Sequence, residues 1–119
     1  MYTRPSRQSL SRRIGQNLLG GWGLHIREFQ EMMRRIYYHR DSRRGAEGTY
    51  NWLVDEVREL GEALKNGDKE NLKEEFADVI AWLASLANVV DVDLEDAALT
   101  KYPNQCPKCG KTKCQCPLT

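Results

Sequence analysis

Two pairs of acidic residues, each inside a segment with helical periodicity, constrain this sequence more than any other feature. Glu56 precedes Glu59 by three positions, and Glu75 precedes Asp78 by the same interval. Residues three apart share one face of an α-helix. If two such helices pack side by side, four carboxylates meet, and their repulsion shifts their pKa values unless a cation is bound. Carboxylate oxygens suit Mg²⁺ or Mn²⁺. The pattern therefore predicts a shared metal site of the kind that handles phosphates.

The competing interpretation is that these acids are ordinary residues of solvated helix faces. Their position beside apolar stripes argues against it, because carboxylates at the edge of a core are costly without a role. The predicted core stripes are Leu53, Val57, Leu60 and Leu64 in the first segment, and Leu72, Phe76, Val79, Leu83, Leu86 and Val90 in the second. The acids share the adjoining rows with Trp52 and Ala63, and with Trp82 and Ser85.

The periodicity predicts four helices and no strand. The first helix should run from about Leu24 to His39, followed by a loop over residues 40–48, which has two glycines and no apolar period. The second should start at a Thr49 cap and end before Asn66 and Gly67. Asp68 should cap the third, which reaches about Val90, and a short fourth should run from Asp93 to Pro103. The fold class is all-α, with the second and third helices antiparallel.

Length and charge narrow the function further. A chain of 119 residues supports one domain with a modest core. It has no apolar run near the roughly 20 residues of a membrane span, and no membrane partner is expected. Residues 1–27 carry five arginines and no acid, whereas residues 55–78 carry nine acids and four basic residues. An acidic centre suits cations better than nucleic acid. We expect residues 1–23 to be a basic, disordered extension; the alternatives are a transit peptide, which would also lack acids and contain Ser and Arg, and a start codon placed too far upstream.

The segments Trp52–Leu64, Glu74–Asn88 and Val92–Pro103 together resemble the MazG-like nucleotide pyrophosphohydrolases, which belong to the all-α NTP pyrophosphatases. That group shares an E-x-x-E…E-x-x-D signature on two antiparallel helices, and the resemblance covers residues 24–103. Two departures are Asp55, where relatives often have a second Glu, and Arg58, where many have Gly. Arg58 could compete for Asp78 or Glu75.

The resemblance implies a function and a set of site residues. Glu56, Glu59, Glu75 and Asp78 would hold Mg²⁺ (or Mn²⁺), and a nucleoside triphosphate would be hydrolysed to its monophosphate and pyrophosphate. One of these carboxylates, Glu59 or Glu56, would also be catalytic by accepting the proton of water, and we favour Glu59. Lys101 and Tyr102 match a family segment that contacts substrate. Trp82 occupies a position where related dCTP pyrophosphatases carry an aromatic residue for the base, although most helix aromatics are simply buried.

All four cysteines lie near the carboxyl end, at Cys106, Cys109, Cys114 and Cys116. Cys-Pro-x-Cys-Gly is typical of a zinc knuckle, although the second pair is closer than the usual spacing. Two disulfides are the alternative, but a nucleotide enzyme of the cytoplasm works in a reducing compartment. We predict that residues 104–119 form a tail around a structural Zn²⁺ with four thiolate ligands.

Extra apolar positions on the second and third helices predict a homodimer, or a tetramer, in which helices of both subunits build the core. Two functional alternatives remain. Phosphoribosyl-ATP pyrophosphohydrolase belongs to the same all-α group. A zinc-bearing helical dimer that binds nucleic acid or an acidic partner through residues 1–27 and the basic knuckle would need no catalysis.

Overall fold

The chain folds as a pair of packed helices with a third, short helix across one end. The structure is a computed structural model that describes residues 23–118. Its helices are α1 (Ile26–Asn66), α2 (Lys69–Val89) and α3 (Leu94–Lys101), and the described residues contain no strand. The all-α prediction is therefore confirmed for this part of the chain. The predicted extension lies almost entirely outside the described residues.

A short turn makes α1 and α2 antiparallel neighbours. Gly67 has φ 71° and donates its N–H to the carbonyl of Ala63, which ends α1. Asp68 then accepts a hydrogen bond from the N–H of Glu70 at 3.1 Å and starts α2. A left-handed glycine followed by an N-cap aspartate allows the chain to reverse within two residues. The sequence had predicted both signals, and they set the register between the two helices.

The predicted loop over residues 40–48 is wrong, because the structure is helical there. Its inward side carries polar residues in place of apolar ones: Asp41 and Thr49 are fully buried. Arg44 donates a hydrogen bond to Asp41 at 2.7 Å and one to the hydroxyl of Thr49 at 3.4 Å. Arg44 thus links Asp41 and Thr49, although Oδ2 of Asp41 has no hydrogen-bond partner among the described residues, and the helix face continues with polar side chains in place of hydrophobic ones. A search for apolar periodicity misses a stripe of this kind.

Gly45 is the one point in α1 where the backbone leaves the helix. Its φ of 82° and ψ of 175° lie in a region that is essentially reserved for glycine. The residues before it supply Met32, Met33 and Tyr37 to a core with Ala81 and Ala84 of α2. After Gly45, Trp52 stacks on Trp82, which lies between Ala81 and Ala84 on the same helix. Gly45 therefore lets α1 bend, so that both of its parts contact one helix.

The prediction of which helix faces form the core is also wrong in part. Several members of the predicted apolar stripes are exposed, among them Leu64 at 61% and Phe76 at 58%. The rows that carry the acids instead lie between the helices: Ala63 and Trp82 are buried, and Ser85 is fully inaccessible. Small residues on α2 allow this close approach of α1. The acids thus lie at the interface of the helices, and about half of the predicted stripe residues are exposed.

Polar contacts fasten α3 to the start of α1. Asp93 caps α3 by accepting from the N–H of Asp96 at 2.9 Å, and Arg27 pairs with both Asp93 and Glu95 at 2.7 and 2.8 Å. The amide of Gln30 bonds to the buried side chain of Asn88 at 3.1 Å. These bonds close the end of the helical pair. None of the helices in residues 23–118 has an apolar stretch that could cross a membrane.

Gly45→Ala should lower the free energy of unfolding by roughly 1–3 kcal/mol, because an alanine is strained at this backbone conformation. Gly61→Ala is the matched control: Gly61 lies inside α1, and nothing would touch its added methyl group within 4 Å. That control should raise stability by roughly 0.5–1 kcal/mol. Urea unfolding of both variants checks this, and equal effects in the two would show that α1 does not bend at Gly45.

Candidate active site

Three carboxylates meet at the centre of the contact between α1 and α2. The register that places Trp52 opposite Trp82 also places Glu56 opposite Asp78, with Glu75 one turn away. One oxygen from each of Glu56, Glu75 and Asp78 lies within 4.8 Å of the others. All three residues are partly buried. Two helices thus supply a compact group of oxygen ligands at a position that is partly removed from water.

Burial and mutual repulsion disfavour the charged form of the carboxylates in this cluster. Burial first, and then the charges of Asp78, Glu59 and Glu75, raise the pKa of Glu56 from its ordinary 4.5 to about 7. Burial, followed by the charges of Glu59 and Asp78, also raises the pKa of Glu75. Glu59 is outside the group of three but close enough to act on two of its members. All four predicted acids are therefore in one neighbourhood.

These residues fit a divalent cation. Atoms Oε1 of Glu56 and Oε1 of Glu75 are buried, and neither accepts a hydrogen bond in the described part of the chain. A buried carboxylate oxygen without a donor is costly, and a bound cation would satisfy it. Arg58 does not fill this role, because it bonds to Asp55 at 2.9 Å instead of to Asp78 or Glu75. The oxygen-only donor set is the one that Mg²⁺ and Mn²⁺ prefer.

An aromatic stack lies one helical turn from the acids. The rings of Trp52 and Trp82 are 5.6 Å apart with an angle of 14° between their planes, and the guanidinium of Arg44 lies 4.8 Å from the centre of the Trp82 ring. Trp82 is only 2% exposed, whereas Trp52 is partly buried. Sequence reasoning had singled out Trp82 alone. The signal for Trp52 was its place in the acid row, four residues before Glu56.

Lys101 and Tyr102 lie at the end of α3 and are both exposed. The ammonium of Lys101 is 5.7 Å from the centre of the Tyr102 ring. This contact joins neighbours in the sequence, so it does not by itself place either residue at the acid cluster. Their role with substrate stays a prediction.

The four cysteine sulfurs also come together, with all of them within 4.8 Å of one another. Cys106 and Cys116 have sulfurs 3.8 Å apart, and the four thiols are free. A disulfide would need about 2.05 Å. Four sulfurs around one zinc ion, each at about 2.3 Å in tetrahedral directions, would be about 3.8 Å apart. The arrangement therefore fits a four-thiolate metal site.

Backbone amides lower the pKa values of Cys106 and Cys109 and so favour their thiolates, whereas the neighbouring thiols, Cys114 first, raise the pKa of Cys116 to about 12. The N–H of Gln115 donates to the sulfur of Cys109 at 3.4 Å, and together with that of Lys111 it lowers the pKa of Cys109 to about 6. Gly110, with φ 73°, allows the tight turn in which its own N–H bonds to the carbonyl of Cys106. This is the geometry in which a cysteine pair can present both sulfurs to one ion.

Comparison with known proteins identifies one family whose model matches the part of the chain that carries the acid cluster. The model of the MazG nucleotide pyrophosphohydrolase domain matches residues 44–110, which is more than half of the chain. The matched segment contains all four acids, Lys101, Tyr102 and the first cysteine pair. A search of curated proteins finds no match.

In buffer with a chelator, the stability contributed by Glu56 should fall as pH rises. The folded protein keeps a proton on Glu56 up to about pH 7, whereas the unfolded chain releases it near 4.5. The contribution is therefore complete below about pH 4.5 and is lost through about pH 7. Glu56→Gln should remove this loss. At pH 8 the free energy of unfolding of the variant should therefore exceed that of the wild type by roughly 1–2 kcal/mol, after allowance for solvent screening.

Glu62→Gln is the matched control, since Glu62 is an exposed acid on the same helix. It should leave the pH profile of unfolding unchanged. If Glu56→Gln and Glu62→Gln give identical profiles between pH 4.5 and 8, the carboxylates are not crowded as described.

Proposed function

The chain belongs to the MazG nucleotide pyrophosphohydrolase family, and from this membership and its acid cluster we propose that it hydrolyses nucleoside triphosphates to nucleoside monophosphates and pyrophosphate with Mg²⁺. The observation that carries the proposal is the inward-facing group of Glu56, Glu75 and Asp78, in which two buried oxygens have no donor. Such a group is expensive to maintain in a merely structural protein. A cellular role in removing unwanted nucleotides from the nucleotide pool is consistent with this reaction.

The proposed roles of the acids follow from their positions. Glu56, Glu75 and Asp78 have oxygens close enough to bind the same ion or adjacent ions, and Glu59 completes the set. Bound Mg²⁺ would supply positive charge against the triphosphate and would make water acidic enough to attack phosphorus. Because Glu59 stands beside the group of three, it is the carboxylate best placed to accept the proton of the attacking water.

The reaction breaks one phosphoanhydride bond. The oxygen of water attacks the α-phosphorus, the bond from that phosphorus to the oxygen bridging to the β-phosphorus breaks, and pyrophosphate leaves with the electron pair. The proton goes to Glu59. In-line displacement of this kind requires mainly positioning and charge stabilisation. Lys101 would add a cation for the triphosphate and Tyr102 would lie beside it, while Trp82 would support the ring of Trp52.

The cysteine cluster is proposed to hold one structural Zn²⁺. Cys106, Cys109, Cys114 and Cys116 would use all four tetrahedral positions, so no position remains for water and no catalytic role is assigned. The support is the separation of 3.8 Å between the sulfurs of Cys106 and Cys116. Binding would stabilise a tail with few hydrophobic residues of its own. A reducing compartment such as the cytoplasm would keep these thiols available.

The outward apolar stripes are proposed to pack against a second copy of the chain. Exposed apolar residues recur along α1 at Val54, Val57 and Leu64, and along α2 at Phe76, Ile80 and Leu83. Contiguous apolar surface on two neighbouring helices is typical of an interface. A homodimer, or a tetramer built from it, would cover both stripes and give each subunit the core that two long helices alone do not provide.

Glu59→Ala and Asp78→Ala should each lower the rate of pyrophosphate release with Mg²⁺ by at least about a hundredfold. The measurement uses a panel of NTPs and dNTPs. Glu62→Ala and Glu74→Ala are the controls, because both side chains are exposed, and they should keep nearly normal turnover. Inactivation by Glu74→Ala with activity spared in Glu75→Ala would mean that the face of α2 is misassigned. Equal rates in all variants would favour the binding-module alternative.

Purified protein should contain about one zinc per chain by elemental analysis. Cys109→Ser should lose the metal and loosen residues after Pro103, while the helical signal in circular dichroism is retained. Material prepared under reducing conditions that holds two disulfides and no zinc would contradict the assignment.

Light scattering at micromolar concentration should give a mass of at least two chains. Phe76→Glu should shift the protein to monomers, because a buried charge would oppose the interface. Lys73→Glu also changes a charge on α2 at an exposed position, and it should leave the mass unchanged. A sharp monomer mass for the wild-type protein would refute the dimer.

A further inference from the structure

An open groove beside the acid cluster is not used by the metal site. Its volume is about 470 Å³, and Gly48, Asn51, Trp52 and Asp55 line it. All four residues belong to the part of α1 after Gly45. Trp52 precedes Glu56 by four residues, or about 6 Å along the helix, and Asp55 is the immediate neighbour of Glu56. Along the helix axis, Trp52 is thus separated from Glu56 by about the length of a ribose.

The aromatic wall of the groove is held in place from behind. Trp82 covers one side of the Trp52 ring at 5.6 Å, and Arg44 lies against Trp82 at 4.8 Å. Arg44 is itself fixed by its ion pair with the fully buried Asp41 at 2.7 Å. The Trp52 ring is therefore oriented before any ligand arrives, which lowers the entropy lost when a flat ligand stacks on it.

Gly48 keeps this arrangement open. A Cβ atom at this position would lie 2.7 Å from Cγ of Arg44, which is closer than carbon atoms can approach. A larger residue would displace Arg44 from Trp82 or protrude into the groove. The absence of a side chain at Gly48 thus serves both the support of the stack and the space beside Trp52.

The polar edge of the groove consists of Asn51 and Asp55. Asn51 is exposed and offers an amide oxygen and an amide NH₂ group. Arg58 donates both of its hydrogen bonds to Oδ1 of Asp55, at 2.9 and 3.2 Å, so Oδ2 keeps its acceptor sites. A carboxylate oxygen accepts from an exocyclic amino group, as it does from N4 of cytosine. A carbonyl oxygen at the same place would face this carboxylate unfavourably.

We propose that this groove binds the nucleobase of the substrate by stacking on Trp52, and that Asp55 with Asn51 favours bases that carry an exocyclic amino group over uracil and thymine. The proposal deepens the proposed function and rests on it, because the acids one turn away would hold the triphosphate of the same nucleotide. It assigns Trp52, Asn51 and Asp55 to substrate binding, and Arg44 and Gly48 to positioning of the stack.

The test is a binding experiment that requires no catalysis. The ¹⁵N-labelled full-length protein is titrated with CMP and with UMP in chelator, and the indole N–H signal of Trp52 is assigned from its loss in Trp52→Phe. CMP should move this signal and bind about tenfold more tightly than UMP, since one hydrogen bond to a charged acceptor is gained. Asp55→Asn should remove most of this preference, and Glu62→Gln should leave it unchanged.

The kinetic arm separates base binding from chemistry. With Mg²⁺ and CTP, Trp52→Ala should raise KM more than it lowers kcat, whereas Glu59→Ala lowers kcat. Equal affinity for CMP and UMP, or a Trp52 signal that neither ligand moves, would overturn the proposal. Selective CMP binding without any pyrophosphate release from NTPs would sustain the groove and would refute the proposed reaction instead.

Discussion

The structure depends on a conflict between packing and charge. α1 and α2 approach each other through small residues and through Glu56, Glu75 and Asp78, so the contact between the helices contains carboxylates that repel one another. Burial raises the pKa values of Glu56 and Glu75 and leaves two oxygens without donors. A divalent cation would resolve this conflict, because it would replace the missing donors and neutralise the charge. The same inward packing leaves apolar residues such as Leu64 and Phe76 exposed, and a second subunit would cover them.

Much of this could be predicted from the sequence, because the relevant signals are local. The spacing of Glu56 with Glu59 and of Glu75 with Asp78 fixes their shared helix faces. Gly67 and Asp68 terminate one helix and start the next, and this turn alone makes the helices antiparallel. The cysteine spacing likewise brings four sulfurs together through one short turn at Gly110. In each case a few neighbouring residues determine the geometry.

What the sequence did not reveal depends on buried polar contacts and on the packing of one helix against the other, neither of which an apolar period shows. Asp41, Arg44 and Thr49 extend a helix through a segment without apolar periodicity, because Arg44 donates hydrogen bonds to both Asp41 and Thr49. The direction of the apolar stripes was misjudged because periodicity alone does not show which row of a helix faces its neighbour: Phe76 and Leu64 of the predicted core stripes are exposed. The importance of Trp52 follows from its stacking on Trp82, which only the register between the helices establishes.

The central claim is that the inward acid cluster directs water to the α-phosphorus of a nucleoside triphosphate. Hydrolysis in H₂¹⁸O with Mg²⁺, followed by mass spectrometry of the products, tests this claim most directly. One ¹⁸O atom should appear in the nucleoside monophosphate, and the pyrophosphate should remain unlabelled. Label in orthophosphate, together with a nucleoside diphosphate product, would show attack at the γ-phosphorus and would contradict the account.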